Sequence, residues 1–169
     1  GILCAYKHFP GHGSSTQDSH LGFVDVTKTF KFEELNPYQN LLNKPFTCPI
    51  VMVGHLINRN FDPNGYPASL SYNMIEHLLR EKLGFKGVVI SDDMQMKAIT
   101  SQYGTENAVL LAVNAGSDIL IFGNQLESTP QDPKEIIDII YRHIQTGEIE
   151  KATIDKAYQH ILLLKKRLR

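Results

Sequence analysis

Four short apolar runs constrain the fold of this chain more than any other feature. Residues 2–6, 50–53, 88–90 and 119–122 are nearly unbroken in apolar side chains, and none alternates with polar ones. A strand with one wet face alternates. A strand buried on both faces does not, and that is the habit of parallel sheets. Between the runs the apolar period changes to three and four. Met74, Ile75, Leu78, Leu79 and Leu83 share a face over 71–83, and Ala108, Val109, Ala112 and Val113 share one over 105–115. Ile136, Ile137, Ile140 and Ile144 do the same over 135–145. A last helix opens at Thr153 as its cap and carries Ile154, Ala157, Ile161, Leu164 and Leu168. Gly84, Gly116 and Gly147 stand where the first three should stop. A weaker short helix fits 37–42. Strand followed by helix, four times over, predicts an α/β fold with parallel strands.

Composition narrows the function classes. With 169 residues the chain fits one domain over 1–169, and 42% apolar content is enough for a core and excludes a disordered chain. Seventeen Lys and Arg against eighteen Asp and Glu leave a net charge of -1, which offers no electrostatic handle for nucleic acid or an anionic membrane. No apolar run reaches the roughly 18 residues of a membrane span. Two cysteines, Cys4 and Cys48, make no disulfide framework and favour a reducing compartment, hence the cytoplasm, with a periplasmic or secreted protein as the alternative. The basic run Lys165, Lys166, Arg167 and Arg169 suits the end of a docked helix better than a binding patch.

In parallel α/β folds, ligands gather at the carboxyl ends of the strands. Those ends are rich here. The first run leads into Lys7-His8-Phe9-Pro10-Gly11-His12-Gly13 and then Asp18-Ser19-His20. The second leads into Gly54 and His55, the third into Ser91-Asp92-Asp93, and the fourth into Gly123 and Asn124. A carboxylate at a strand end, as at Asp92, can serve as nucleophile, base or metal ligand, or simply cap the next helix. Two adjacent Asp allow both, the first facing inward and the second holding the loop. Asp18 and His20 share a face in extended chain, so the carboxylate can fix the imidazole tautomer and leave one nitrogen for proton transfer. His8, His12, His20 and Asp18 could also be a metal cluster, but their spacing matches no compact zinc pattern. Gly11-x-Gly13 lacks the spacing of a nucleotide loop.

The first motif resembles the signature of glycoside hydrolase family 3, and within it the branch of bacterial β-N-acetylhexosaminidases that trim N-acetylglucosamine from muropeptides. A second block, from Leu78-Leu79-Arg80-Glu81-Lys82-Leu83-Gly84-Phe85-Lys86-Gly87 through Val88-Val89-Ile90-Ser91-Asp92-Asp93-Met94, is similar to the family's nucleophile region. Residues 51–55, Asp62, Pro67-Ala68-Ser69 and Ala115-Gly116-Ser117-Asp118 match in order. The resemblance implies a retaining exo-glycosidase with no metal and no cofactor. Asp92 would be the nucleophile, His20 the acid and then the base, and Asp18 its partner. Lys7 and His8 would contact sugar hydroxyls. His55 is grouped with them as a substrate-binding residue, although, like His12, it suits a wall of the site as well. This differs from the usual pair of carboxylates in glycosidases. The alternatives are a phosphorylase of the same branch, a metal-dependent hydrolase at the histidines, or a non-catalytic half-barrel that binds sugar or a partner chain.

The resemblance also implies a (β/α)8 barrel of about 250 residues. Four strands with their helices would be its carboxyl half. The expected partners are therefore a saccharide or muropeptide and either the missing amino half or a second copy. The first and last strands would otherwise lack neighbours, and unpaired edges invite association.

Overall fold

The computed structural model describes residues 2–15, 24–125 and 130–168. Among the described residues six strands run in chain order: β1 (Ala5–Phe9), β2 (Val24–Asp25), β3 (Ile50–Val53), β4 (Leu56–Ile57), β5 (Val88–Asp93) and β6 (Ile119–Ile121). β1, β3, β5 and β6 form one parallel sheet in that order, and β2 pairs with β4 in a small parallel sheet of its own. The register sets Val51 between Tyr6 on β1 and Val89 on β5. Four parallel strands with helices packed on them are the α/β architecture expected, a partial (β/α)8 barrel.

The helices are α1 (Asn36–Leu41), a π-helical segment (Asn73–Lys82), α2 (Lys97–Ala115), α3 (Pro133–Gln145) and α4 (Lys151–Lys166). Val51, Val53 and Val89 turn one face of the sheet to Met74, Ile75, Leu78 and Leu79 of the π-helical segment, and Phe9 joins them. All five residues expected on that helix face are buried. The wider turn leaves Leu83 N–H donating to Leu78 O at 3.0 Å, five residues back. α3 begins as its sequence dictates: Pro133 takes a first-turn position that needs no N–H, and the Asp132 carboxylate accepts from the Lys134 N–H at 2.8 Å.

Several expectations need correction. β1 lies three residues further along than the apolar run suggested. Ile2 is fully exposed, while Phe9 is buried against β3. Pairing with residues 50–53, not apolar content, sets the strand's limits, so Lys7 and His8 lie within it. α2 begins at Lys97 and breaks at Gly104, whose φ of 67° and ψ of 168° leave the helix. The 105–115 pattern caught only its second part. α4 begins after Glu150, so Thr153 lies within the helix and is not its cap.

The cysteines also need correction. Cys4 and Cys48 are joined in a disulfide with a Cα–Cα distance of 5.1 Å. Ala5 pairs with Ile50, so the parallel register brings together the residues just before β1 and β3. Spacing along the chain, 44 residues, gave no sign of this. A disulfide argues against the reducing compartment inferred from the cysteine count.

Candidate active site

The carboxyl ends of β1, β3 and β5 converge. β5 runs on through Ser91 to Asp92 and Asp93, and the two carboxylates separate in role. Asp93 is spent on the loops: its Oδ1 accepts the N–H of Gln95 at 3.0 Å and of Gly123 at 3.2 Å. Its carbonyl accepts from the Met96 N–H at 3.0 Å. Asp92 projects into the open. Its Oδ1 accepts the Asp93 N–H at 2.9 Å, and its Oδ2 lies 3.8 Å from His8 Nε2 on β1. The two side chains reach one another past the end of β3, which lies between their strands. Alternate strands supply neighbouring side chains in this way where a parallel sheet curls toward a barrel. Asp92 keeps 21% side-chain exposure and His8 28%, so both face accessible space.

His8 stands edge-on to His12, with ring centroids 6.2 Å apart. Lys7, His8 and His12 line an open groove of about 400 Å³ with Tyr6, Glu34 and Tyr38. Larger hollows of about 450 Å³ and 530 Å³ lie beside Asp118 at the other end of the strands and between α3 and α4; Asp92 lines none of the three, but His8, which faces it, lines the groove. The carboxyl-end location and the convergence of ionisable groups make the Asp92 region the better candidate.

Glu34 buttresses the turn after β1. It accepts from the Ser14 hydroxyl and from the Lys31 N–H at 3.1 Å. Burial pushes its carboxyl group up, but the hydrogen bonds from Ser14, Lys31 and Gly13 outweigh that and hold it below the ordinary glutamate value. Gly11, at φ 144°, brings its backbone so close to Glu34 that an added Cβ would sit 3.0 Å from it. The turn leading toward Asp18 and His20 is thus fixed as far as Ser14. Asp18 and His20 themselves lie outside the described residues.

His55 takes the wall position allowed for it and not the substrate-binding one. It is 1% exposed, and both ring nitrogens are taken by protein groups: Nδ1 meets Ser69 Oγ at 2.7 Å and Nε2 meets the Asp93 carbonyl at 2.9 Å. No ring nitrogen remains for a sugar hydroxyl. A carbonyl only accepts, so Nε2 carries the proton and Nδ1 accepts from the serine. Burial lowers the pKa of His55 and keeps it neutral. Ser69 was named in the sequence only as part of a matching segment and given no role, and Glu34 was not singled out. Glu34 makes only the acidic half of a capping box, since the Lys31 side chain cannot accept, so the sequence carried no signal for it. Among the described residues no three His, Cys, Asp or Glu converge as metal ligands. Two of the four candidates for such a cluster, Asp18 and His20, lie outside them.

The likeness to known proteins agrees with this architecture. Residues 1–164 match the glycosyl hydrolase family 3 N-terminal domain. The chain is 33% identical to the β-hexosaminidase LpqI of Mycobacterium tuberculosis over 98% of its own length and 42% of the relative's. It is also 33% identical to a β-hexosaminidase of Idiomarina loihiensis over 73% of its length and 37% of that protein's. It therefore spans about two-fifths of the length of these curated relatives. Zinc-bound CbsA from Thermotoga neapolitana superposes with a TM-score of 0.87 at 31% identity, over 100% of this chain and 36% of that one. A family 3 β-N-acetylglucosaminidase from Paenibacillus superposes with a TM-score of 0.85 at 32% identity, over 98% of this chain and 31% of that one. The match spans nearly the whole chain, strand ends included, and by it the chain belongs to glycosyl hydrolase family 3.

Proposed function

We propose that this chain carries the catalytic groups of a retaining exo-glycosidase that removes terminal β-linked N-acetylglucosamine. The observation that carries the reading is Asp92, anchored at one oxygen by a backbone N–H while the other faces His8 across the mouth of the sheet. The names of the relatives support the sugar. In the first step Asp92 Oδ2 bonds to the anomeric carbon as the glycosidic C–O bond breaks. His20, oriented by Asp18, gives its proton to the leaving oxygen. In the second, water attacks the anomeric carbon, His20 takes back a proton, and the Asp92 carboxylate is released. Lys7 and His8 hold sugar hydroxyls.

The proposed working unit includes strands that complete the barrel, supplied by an amino half or a second copy. The described sheet ends at β1 and β6, and the greater length of the relatives favours an amino half. Muropeptides are the proposed natural substrates. The disulfide supports a workplace outside the reducing cytosol. No helix among the described residues is long and apolar enough to cross a membrane.

The test is turnover of a chromogenic N-acetylglucosaminide by the barrel-complete protein, with the product anomer followed by NMR, with and without phosphate. Release of the β-anomer of N-acetylglucosamine is expected. Inversion overturns the reading, and a sugar phosphate as main product favours the phosphorylase. His20→Ala should lose far more activity on alkyl glycosides, whose leaving groups need a proton, than on nitrophenyl glycosides. Equal losses on both would contradict the role of His20.

A further inference from the structure

His55 is a buried imidazole that the proposed chemistry does not use, yet it touches the residue whose N–H holds Asp92. Three hydrogen bonds run in series. The Ser69 hydroxyl donates to His55 Nδ1 at 2.7 Å, and His55 Nε2–H donates to the Asp93 carbonyl at 2.9 Å. The N–H of the same residue, Asp93, donates to Asp92 Oδ1 at 2.9 Å. The series joins three separate pieces of chain. His55 lies between β3 and β4, Ser69 lies in the short 3-10 turn Ala68–Leu70, and Asp93 ends β5. Ser69 is fully buried and His55 nearly so. The Asp93 carbonyl also accepts the Met96 N–H, so both of its lone pairs are used.

We propose that Ser69 and His55 are positioning residues that fix the backbone of Asp93, and through its N–H the carboxylate of Asp92, at the angle needed to attack the anomeric carbon. The argument is one of direction. A carboxylate at a strand end rotates freely about its last bonds unless one oxygen is tied. Here the tie is a backbone N–H, and that N–H is only as well aimed as the residue that carries it. Asp93 is held at its side chain by Gln95 and Gly123, contacts that steady the loop. Among the described residues, His55 alone brings a side-chain donor from another strand connection to its carbonyl. Ser69 gives the imidazole its tautomer: with the serine proton on Nδ1, the ring proton must sit on Nε2, where the carbonyl needs it. Displacements of about 1 Å at a reacting group cost about 100-fold in rate.

The proposal rests on Asp92 being the nucleophile. The test compares His55→Leu, His55→Gln and Ser69→Ala in the barrel-complete enzyme, with thermal unfolding measured on each. The glutamine amide can place an N–H near the position of Nε2, and leucine cannot. The expected result is a fall in kcat of about 100-fold for His55→Leu with KM within about two-fold, and recovery to within about ten-fold of wild type for His55→Gln. Ser69→Ala should lower kcat by about ten-fold at an unchanged melting temperature. In the wild type, nitrogen NMR should show the His55 ring neutral with its proton on Nε2. Equal kcat for His55→Leu and His55→Gln overturns the proposal, as does a Ser69→Ala enzyme with full kcat. If His55→Leu fails to fold, His55→Gln and Ser69→Ala decide by the same criteria. A fully active Asp92→Asn enzyme would instead refute the parent reading, and the two failures are separable.

Discussion

At the scale of single residues, the site divides between groups whose role follows from type and place and groups whose role follows from their partners. Asp92 was legible as a carboxylate at a strand end because an apolar strand ran straight into it, and Asp93 holds the loops as the second of two adjacent aspartates can. His55 was legible as a histidine at a strand end, but not as a buried donor. A sequence shows that an imidazole is near the mouth of a sheet; it does not show which carbonyl lies 2.9 Å from it. Burial has a consequence that can be measured. The pKa of His55 is lower in the folded chain than the ordinary value of about 6.5, because desolvation outweighs the bond to Asp93 and the nearby carboxylates. The unfolded chain therefore binds a proton that the folded chain refuses. Stability from this group is complete above about pH 6.5 and falls as the pH drops below it. Denaturant unfolding between pH 7.5 and 5 should show this loss, and His55→Gln should flatten it. Identical slopes in the two proteins would contradict the assignment. Asp25 and Glu34, whose pKa values are also lowered, add their own losses only in the more acidic carboxylate range.

At the scale of elements, apolar periodicity located the four main strands and most helices, while tertiary contacts set their ends. β1 is defined by β3, and α2 by a bend at Gly104 that a helical pattern cannot reveal. The two-residue strands β2 and β4 are too short to have a period. The strongest missed contact is ionic. Arg80 of the π-helical segment is buried, with its guanidinium 2.7 Å from Asp118 and 3.2 Å from Glu76. It also donates to the carbonyl of Gly87 just before β5 and to that of Gly116 at the end of α2. His160 and Lys156 bring α4 to the same carboxylates, at 2.8 Å and 2.7 Å. So α4, which buries no residue fully, is docked by charge as much as by its apolar stripe. Arg80→Met should cost about 3–5 kcal/mol in denaturant unfolding, because it strands buried carboxylates. A loss below about 1 kcal/mol would mean that Lys156 and His160 satisfy them alone. The disulfide ties the edge strand β1 to β3. Cys48→Ser removes a cross-link between residues 44 apart, which loop-closure entropy values at about 4 kcal/mol. Wild type in reductant should lose a similar amount, and an unchanged denaturation midpoint in both would show that the link adds nothing.

At the scale of the molecule, the chain is an open piece of a closed architecture. Its sheet has β1 and β6 at the edges, and Ile137, Tyr141, Tyr158 and Leu163 leave apolar surface exposed on α3 and α4. That openness was legible from a count of strands, since four apolar runs cannot close an eight-stranded barrel. The mouth of the sheet nonetheless holds the carboxylate on which the account depends. The most direct test is made on the barrel-complete protein, treated with a fluorinated N-acetylglucosaminide that has a good leaving group and analysed by mass spectrometry of the peptide spanning β5. The account predicts a single added sugar esterified to Asp92, absent from Asp92→Asn, whose turnover should fall by several powers of ten with its melting temperature preserved. A sugar on Asp93, or an active enzyme that forms no adduct at all, would contradict it.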